Sequence, residues 1–213
     1  MSLFITFEGI EGSGKSTHLR HLAAHLRASG RDVVETREPG GTQAGQAIRR
    51  LLLGADAVPL TPETELLLYC ADRAQHVAEV IRPALAAGRV VLCDRFSDST
   101  IAYQGNGRGL DLGRLRALDA HARSGVWPGL TFLLDCPAEE GLARARGRAG
   151  AETGLGDRFE RESIPFHERV RAGFLALAAA EPDRFCVLDA AQPIERVRAR
   201  VIAETERRLG VGP

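Results

Sequence analysis

The 213-residue chain predicts an α/β fold in which a parallel sheet is covered by helices on both faces. Two observations carry that prediction. Short apolar runs recur along the chain, and longer segments with helical periodicity separate them. A third observation fixes the N-terminal order as strand, loop, helix: the glycine-rich stretch "GIEGSGKS" (9 to 16) directly follows the first apolar run.

The strands expected are "LFITFE" (3 to 8), "DVVET" (32 to 36), "RVVLCD" (89 to 94), "LTFLLD" (130 to 135) and "RFCVLD" (184 to 189). Between the first two, leucines at 19, 22 and 26 recur at near-helical spacing, and Gly30 sits where a helix would stop. The segment from Thr61 to Gly88 starts with a cap candidate followed by Pro62, and Pro83 predicts a kink or restart within it. A last helix is expected in "PIERVRARVIAETERRL". The segment 144 to 158, "RARGRAGAETGLGDR", is rich in arginine and glycine and reads as a mobile surface element.

Composition narrows the possibilities. At 44% hydrophobic, the chain supports one sizeable core, so a single domain over residues 1–213 is expected. Acidic and basic residues balance at 28 each, so no bulk field argues for nucleic-acid or membrane partners. No apolar run approaches the length of a membrane span, and the first residues lack the pattern of a signal peptide; a soluble, cytoplasmic protein is expected. Cys70, Cys93, Cys136 and Cys186 are scattered, without CxxC spacing, and read as reduced thiols beside apolar runs.

All but one of the 28 basic residues are arginine, and the exception is Lys15. It falls in "GIEGSGKS", which fits the G-x-x-x-x-G-K-[ST] phosphate-binding loop in the required strand–loop–helix context. Gly9, Gly12 and Gly14 let the loop turn its N–H groups towards phosphate oxygens, and the following helix N-terminus adds its dipole. Lys15 supplies a compact ammonium with three rotatable donors, a shape that a planar guanidinium does not reproduce. Ser16 is the expected Mg²⁺ ligand, and Asp94, ending a strand at the carboxyl edge of the sheet, is a second one. An N-K-x-D guanine-reading motif is impossible with Lys15 as the only lysine, and large motor ATPases need more chain. Small-molecule kinases remain, and they need a second anion site.

Beyond this loop the sequence resembles the bacterial thymidylate kinases of the nucleoside-monophosphate kinase family. The resemblance rests on "FEGIEGSGKST" (7 to 17), "TREPGGT" (36 to 42), "LLLYCADRAQHV" (66 to 77), "DRFSDSTIAYQGNGRG" (94 to 109), "RARGRA" (144 to 149) and "LDAAQP" (188 to 193). It implies transfer of the ATP γ-phosphoryl group to dTMP with Mg²⁺. It further implies a three-layer P-loop fold with a five-stranded parallel sheet, a small lid at about 141–162, and a homodimer. The ATP site implied comprises Gly9, Ile10, Glu11, Gly12, Ser13, Gly14, Lys15, Ser16 and Thr17, with Arg144 and Gln192 from the later segments. For the acceptor, it implies Arg95 and Arg49 on the phosphate, Tyr69 stacked on thymine and Arg73 donating to the base. Tyr69 and Arg73 are four apart, so one helical face can carry both. Ser99, Thr100, Tyr103 and Gln104 follow, with Thr100 reading the pyrimidine edge and Tyr103 crowding the sugar 2′ position. Glu11 is matched by an acid near the acceptor, and Glu38 is a candidate for orienting the sugar or the metal's water shell. Lys15, Arg95 and Arg148 are expected to act on the transferring group. Arg148 and Arg144 share a face if their segment is helical, while Arg146 points away. The competing readings are a kinase for another nucleoside monophosphate and a nucleotide-binding regulatory switch.

Overall fold

A computed structural model describes the backbone of residues 2–54, 59–152 and 158–210, and the side chains of these except 148–152. Its centre is a sheet of five parallel strands, β1 (Leu3–Glu8), β2 (Val33–Arg37), β3 (Val90–Asp94), β4 (Leu130–Asp135) and β5 (Phe185–Asp189), in the order β2-β3-β1-β4-β5. Each strand lies within one residue of the position expected from the sequence. In register, Phe7 pairs with Asp94 across β1 and β3, and Phe7 with Phe132 across β1 and β4.

Both faces of the sheet are buried, and the period of two sorts its side chains. Ile5 and Phe7 of β1, Val90 and Leu92 of β3, and Leu130, Phe132 and Leu134 of β4 share one cluster with Leu19, Leu22 and Leu26 of α1 (Lys15–Ala28). That cluster also contains Val197 and Val201 of the last helix, Ile194–Arg208. Phe4, Val91 and Cys93 point to the opposite face. There they meet Val77, Ile81 and Ala84 of the long helical run that begins with α3 (Pro62–His76), against which α2 (Gln43–Leu53) packs. Phe7 and Phe132 are fully buried with ring centroids 5.3 Å apart, and truncating either to alanine costs about 3–5 kcal/mol.

The run from α3 does not continue as one α-helix. Val77–Ile81 forms a π-helical turn, after which α4 (Arg82–Ala86) restarts with Pro83 in its first turn. Proline lacks the N–H that a regular helix would use, and the wider turn absorbs the mismatch. A second π-helical segment, Ile101–Gly107, follows α5 (Ser97–Thr100) and leads to α6 (Leu112–Arg123). Tyr103 and Gln104 belong to this segment, and both line the cleft at the carboxyl edge of the sheet.

Helix α7 (Ala138–Glu152) runs through Gly147 and Gly150, so the arginine- and glycine-rich segment is helical as far as residue 152. Five alanines and the Glu140–Arg144 pair (3.4 Å) offset the helix cost of its glycines. Residues 153–157 of the expected lid lie outside the described residues. The chain resumes as a short 3₁₀ turn, Arg158–Arg161, and α8 (Ile164–Ala180), capped by Ser163, before α9 (Ile194–Arg208) closes the fold. All four cysteines are free thiols. Among the described residues no helix is long and apolar enough to cross a membrane.

Candidate active site

At the carboxyl ends of β1 and β3 the loops enclose a cleft of about 590 Å³. This is where an open parallel sheet presents its ligand crevice. Glu11, Gly12, Lys15 and Ser16 line one wall. Glu38, Arg49, Tyr69, Arg73, Asp94, Arg95, Ser99, Thr100, Tyr103 and Gln104 line the rest. Thus residues spread over some 90 positions of sequence, singled out from motifs, meet around one cavity.

The phosphate loop has the geometry that its glycines predict. Gly12 has φ +71°, and a Cβ there would lie 1.9 Å from the carbonyl oxygen of Gly141 on α7, so any larger residue would push the loop from its seat. Gly14, also left-handed, forms the N-cap of α1. The loop folds over its own lysine: Lys15 Nζ donates to the Ile10 carbonyl (2.7 Å) and to Ser13 Oγ (3.3 Å). Burial and the nearby Arg95 lower the Lys15 ammonium to about 8, against the pull of Asp94, Glu11 and Glu8. The Ser16 hydroxyl donates to the Asp94 carboxylate at the end of β3. Two hard oxygen donors beside a phosphate loop fit Mg²⁺, which takes its remaining ligands from water and substrate phosphate.

Arg95 is the hub of the acceptor wall. Its φ of 69° lies in the left-handed region, a conformation that costs a residue with a side chain about 1–3 kcal/mol. Its backbone N–H donates to the Phe7 carbonyl (3.0 Å). The guanidinium donates to the Gly9 carbonyl (2.9 Å), Ser99 Oγ (3.1 Å), Glu11 Oε1 (3.0 Å) and Tyr103 Oη (3.1 Å). Tyr103 in turn donates to Glu11 Oε1 (2.6 Å), and Ser99 Oγ donates to Glu8 Oε2 (2.5 Å). Burial alone would raise Glu11, but Arg95, His167, Lys15 and Tyr103 outweigh it and hold this carboxyl near 2. Burial and Asp98 push the neighbouring Glu8 up to about 8. The acid inside an anion site therefore stays ionised because the Arg95 and Lys15 cations flank it and Tyr103 donates to it.

Arg73 is buried, 1% exposed, yet it borders the cleft. Nε donates to Glu38 Oε2 (2.9 Å), Nη1 to Asp119 Oδ1 (2.7 Å) and Nη2 to Thr100 Oγ1 (3.0 Å), while the guanidinium lies over the Phe96 ring. Glu38 spends its other oxygen on His76 Nδ1 (2.8 Å), whose Nε2 is 2.6 Å from Thr36 Oγ1. Glu38 therefore holds Arg73 in place here. Gln104 Nε2 donates to Glu65 Oε1 (2.8 Å), and Arg49 Nη1 to the Pro39 carbonyl (2.8 Å). Arg49 lines the cleft, whereas Arg50 is exposed to solvent.

The remaining expected residues lie beyond the cleft lining. Arg144 Nη1 donates to the Ala190 carbonyl (3.0 Å), which brings α7 against the loop that carries Gln192. Gln192 Nε2 is 3.4 Å from Asp189 Oδ2. Arg146 reaches the Glu160 carbonyl (3.3 Å), away from Arg144. The backbone of Arg148 is helical, but its side chain lies outside the described residues. Thr17 sits half-buried in the first turn of α1.

Sequence reasoning missed the anchoring acids. Asp119, Glu65 and Glu8 each hold a cleft residue by a long-range contact; Asp119 and Glu65 belong to no short motif, and Glu8 stands in "FEGIEGSGKST" without a role assigned to it. The one signal available was their setting: an acid on the apolar stripe of a helix or at the end of a buried strand.

Comparison with known proteins agrees with this arrangement. The family model described as "Thymidylate kinase" matches residues 7–201. A thymidylate kinase from Geotalea uraniireducens is 52% identical over 213 residues, covering all of both chains. One from Solidesulfovibrio magneticus is 57% identical over 201 residues, covering 93% of this chain and 96% of its own. The crystal structure of thymidylate kinase from Ehrlichia chaffeensis superposes with a TM-score of 0.76 at 36% identity, covering 96% of this chain and 98% of that one. With a match along nearly its whole length and a phosphate loop facing an arginine-lined cleft, the chain belongs to the thymidylate kinase family.

Proposed function

We infer that the protein transfers the γ-phosphoryl group of ATP to dTMP, giving dTDP and ADP. The observation that carries this reading is the single cleft in which the phosphate loop faces Arg49, Tyr69, Arg73 and Arg95. Phosphoryl transfer needs little covalent help from a protein; it needs two anions brought into line and their charge compensated. In our reading Lys15 exchanges the Ile10 carbonyl for phosphate oxygens of ATP. Arg95 and Arg49 take the dTMP phosphate, whose oxygen attacks the γ-phosphorus as the bond to ADP breaks. Tyr69 stacks on thymine, Arg73 and Thr100 read its polar edge, Gln104 closes that end, and Tyr103 occupies the sugar side. Ser16 and Asp94 would hold Mg²⁺, which when bound neutralises charge on the β- and γ-oxygens. In this reading Arg144 and Gln192 complete an ATP site whose remainder is the loop from Gly9 to Thr17, and Arg148 acts on the transferring group. A lid drawn from residues 141–162 would exclude water during transfer.

We also infer a homodimer in the cytoplasm. Leu51 on α2 and Leu67 on α3 are each about half exposed on neighbouring helices, and free thiols suit a reducing compartment.

The test is product analysis with ATP alone and with ATP plus dTMP. Stoichiometric dTDP and ADP, formed only when dTMP is present, is the expected result. Equal ADP release without an acceptor would favour a nucleotide-hydrolysing switch instead.

A further inference from the structure

One buried contact in the cleft wall has no part in the chemistry above. His167, in the first turn of α8, is fully buried, and its two ring nitrogens face two different acceptors. Nε2 lies 2.9 Å from the Phe159 carbonyl oxygen, and Nδ1 lies 3.2 Å from Glu11 Oε2. A carbonyl oxygen can only accept, so Nε2 must carry a hydrogen. In the neutral ring Nδ1 would then point a lone pair at an ionised carboxylate. Only the imidazolium, with N–H at both nitrogens, satisfies both contacts. Neither Glu11 Oε2 nor His167 Nδ1 has a hydrogen-bond partner among the described residues: the 3.2 Å between them is an ion-pair distance without hydrogen-bond alignment, whereas Glu11 Oε1 is shared by Arg95 and Tyr103.

We propose that His167 is a positioning residue: as the imidazolium it donates from Nε2 to the Phe159 carbonyl and faces Glu11 Oε2 with Nδ1 as an ion pair, holding the phosphate-loop acid against Arg95 and tying both to the Arg158–Arg161 turn. The charged and titratable groups around the pair are Lys15 from the loop, Arg95 from the end of β3, and Tyr103 from the π-helical segment. From α8 itself, Glu168 is turned away to accept from the Ala138 N–H (3.2 Å), and Arg171 is paired with Asp135 (2.7 Å). Phe166 packs edge-on against the imidazole, with centroids 5.4 Å apart, and closes the remaining side. Lys15 and Arg95 repel a third cation, but Arg95 is already spent on Glu11 Oε1 and the direct contact to Oε2 is left to His167. Removal of the Nδ1 proton would leave two lone pairs facing each other, and Glu11 would turn from His167. The consequence for turnover rests on the dTMP kinase reading; the protonation state does not.

The experiment has two arms. The first is long-range ¹⁵N–¹H correlation of the imidazoles of the full chain at neutral pH, which is independent of any activity. Both nitrogens of His167 protonated is the expected result, and a neutral ring protonated at Nε2 alone overturns the proposal. The second compares His167→Phe, which fills the space without donors, with His167→Asn, whose amide can donate to Glu11 from the Nδ1 position. His167→Phe should lower kcat/KM for dTMP about 10-fold, the size of one charge-assisted hydrogen bond, with KM for ATP within about twofold of the parent. His167→Asn should recover part of that loss, and its ratio to the parent should rise towards alkaline pH. A His167→Phe protein with the parent's kcat/KM for dTMP, or an Asn variant with the same pH profile as the parent, contradicts the positioning role. Failure of dTMP turnover in every form, with the imidazolium still observed, would instead count against the kinase reading.

Discussion

The two walls of the cleft are built differently. On the acceptor wall, side chains hold most of the side chains: Arg73 is fixed by Glu38, Asp119 and Thr100, and Arg95 by Glu11, Ser99 and Tyr103 besides the Gly9 carbonyl, while Arg49 rests on the Pro39 carbonyl. On the donor wall, the shortest contacts of Lys15 and Arg144 are to the backbone carbonyls of Ile10 and Ala190, with Ser13 and Glu140 as longer side-chain partners, bonds that a phosphate can readily replace. An interlocked wall tolerates little change in its ligand, because a misplaced group leaves buried donors or acceptors unpaired. A wall of backbone and movable cations recognises charge more than outline. In the proposed reading, selectivity is thus concentrated on the acceptor side, and charge compensation on the donor side.

Substitution of the donor wall's ammonium should have the largest effect on rate and little on folding. Lys15→Ala is expected to lose nearly all turnover, at least about 10³-fold in kcat, while keeping the parent's circular dichroism and thermal midpoint. Lys15→Arg should also be badly impaired, since the guanidinium does not fit the slot around the Ile10 carbonyl. Near-normal turnover in a folded Lys15→Ala protein would remove the difference between the walls.

The acceptor wall should respond in stability as well. Asp119→Ala leaves the buried Arg73 guanidinium without one of its two carboxylates, and a broken buried pair costs about 3–5 kcal/mol. Urea unfolding measures that cost directly; a change under about 1 kcal/mol would show that Arg73 is not locked as described. Arg73→Ala should be destabilising for the converse reason, so a loss of dTMP selectivity in that variant has to be read in the folded fraction.

Acid should loosen the same wall. Because Glu11 is held near 2, below an ordinary carboxyl, its contribution to stability is present above the ordinary carboxylate range and is lost as pH falls towards 2. The full contribution is about 3 kcal/mol. The stability gap between the parent and Glu11→Gln should therefore shrink as pH is lowered from about 6 to about 3, and a constant gap would contradict the ionised assignment.

The contrast also explains what could be read from the sequence. The phosphate-loop residues of the donor side sit in one contiguous motif whose backbone conformation is dictated by its own glycines, so "GIEGSGKS" disclosed Lys15, Ser16 and the strand and helix around them. The five strands were equally legible, because burial on both faces leaves uninterrupted apolar runs. Arg49, Tyr69, Arg73 and Arg95 came from the family resemblance, and the fold brings them to one cleft. The partners that lock them were not legible. Asp119 lies 46 residues from Arg73, and His167 lies 156 from Glu11, and neither Asp119 nor His167 belongs to a motif. Nothing local distinguishes such an acid or histidine from one on a solvated helix face. The π-helical turns escaped for a related reason: an extra residue in a helical turn leaves no periodic mark in so short a segment.

The most direct measurement pairs two substrate panels on the parent protein. Nucleoside monophosphates are varied at saturating ATP, and nucleoside triphosphates at saturating dTMP. The interlocked acceptor wall predicts that kcat/KM for dTMP exceeds that for AMP, GMP and CMP by about 10²-fold or more, while ATP, dATP and GTP as donors differ by less than about 10-fold. A donor panel more selective than the acceptor panel, or a purine monophosphate preferred over dTMP, would contradict it.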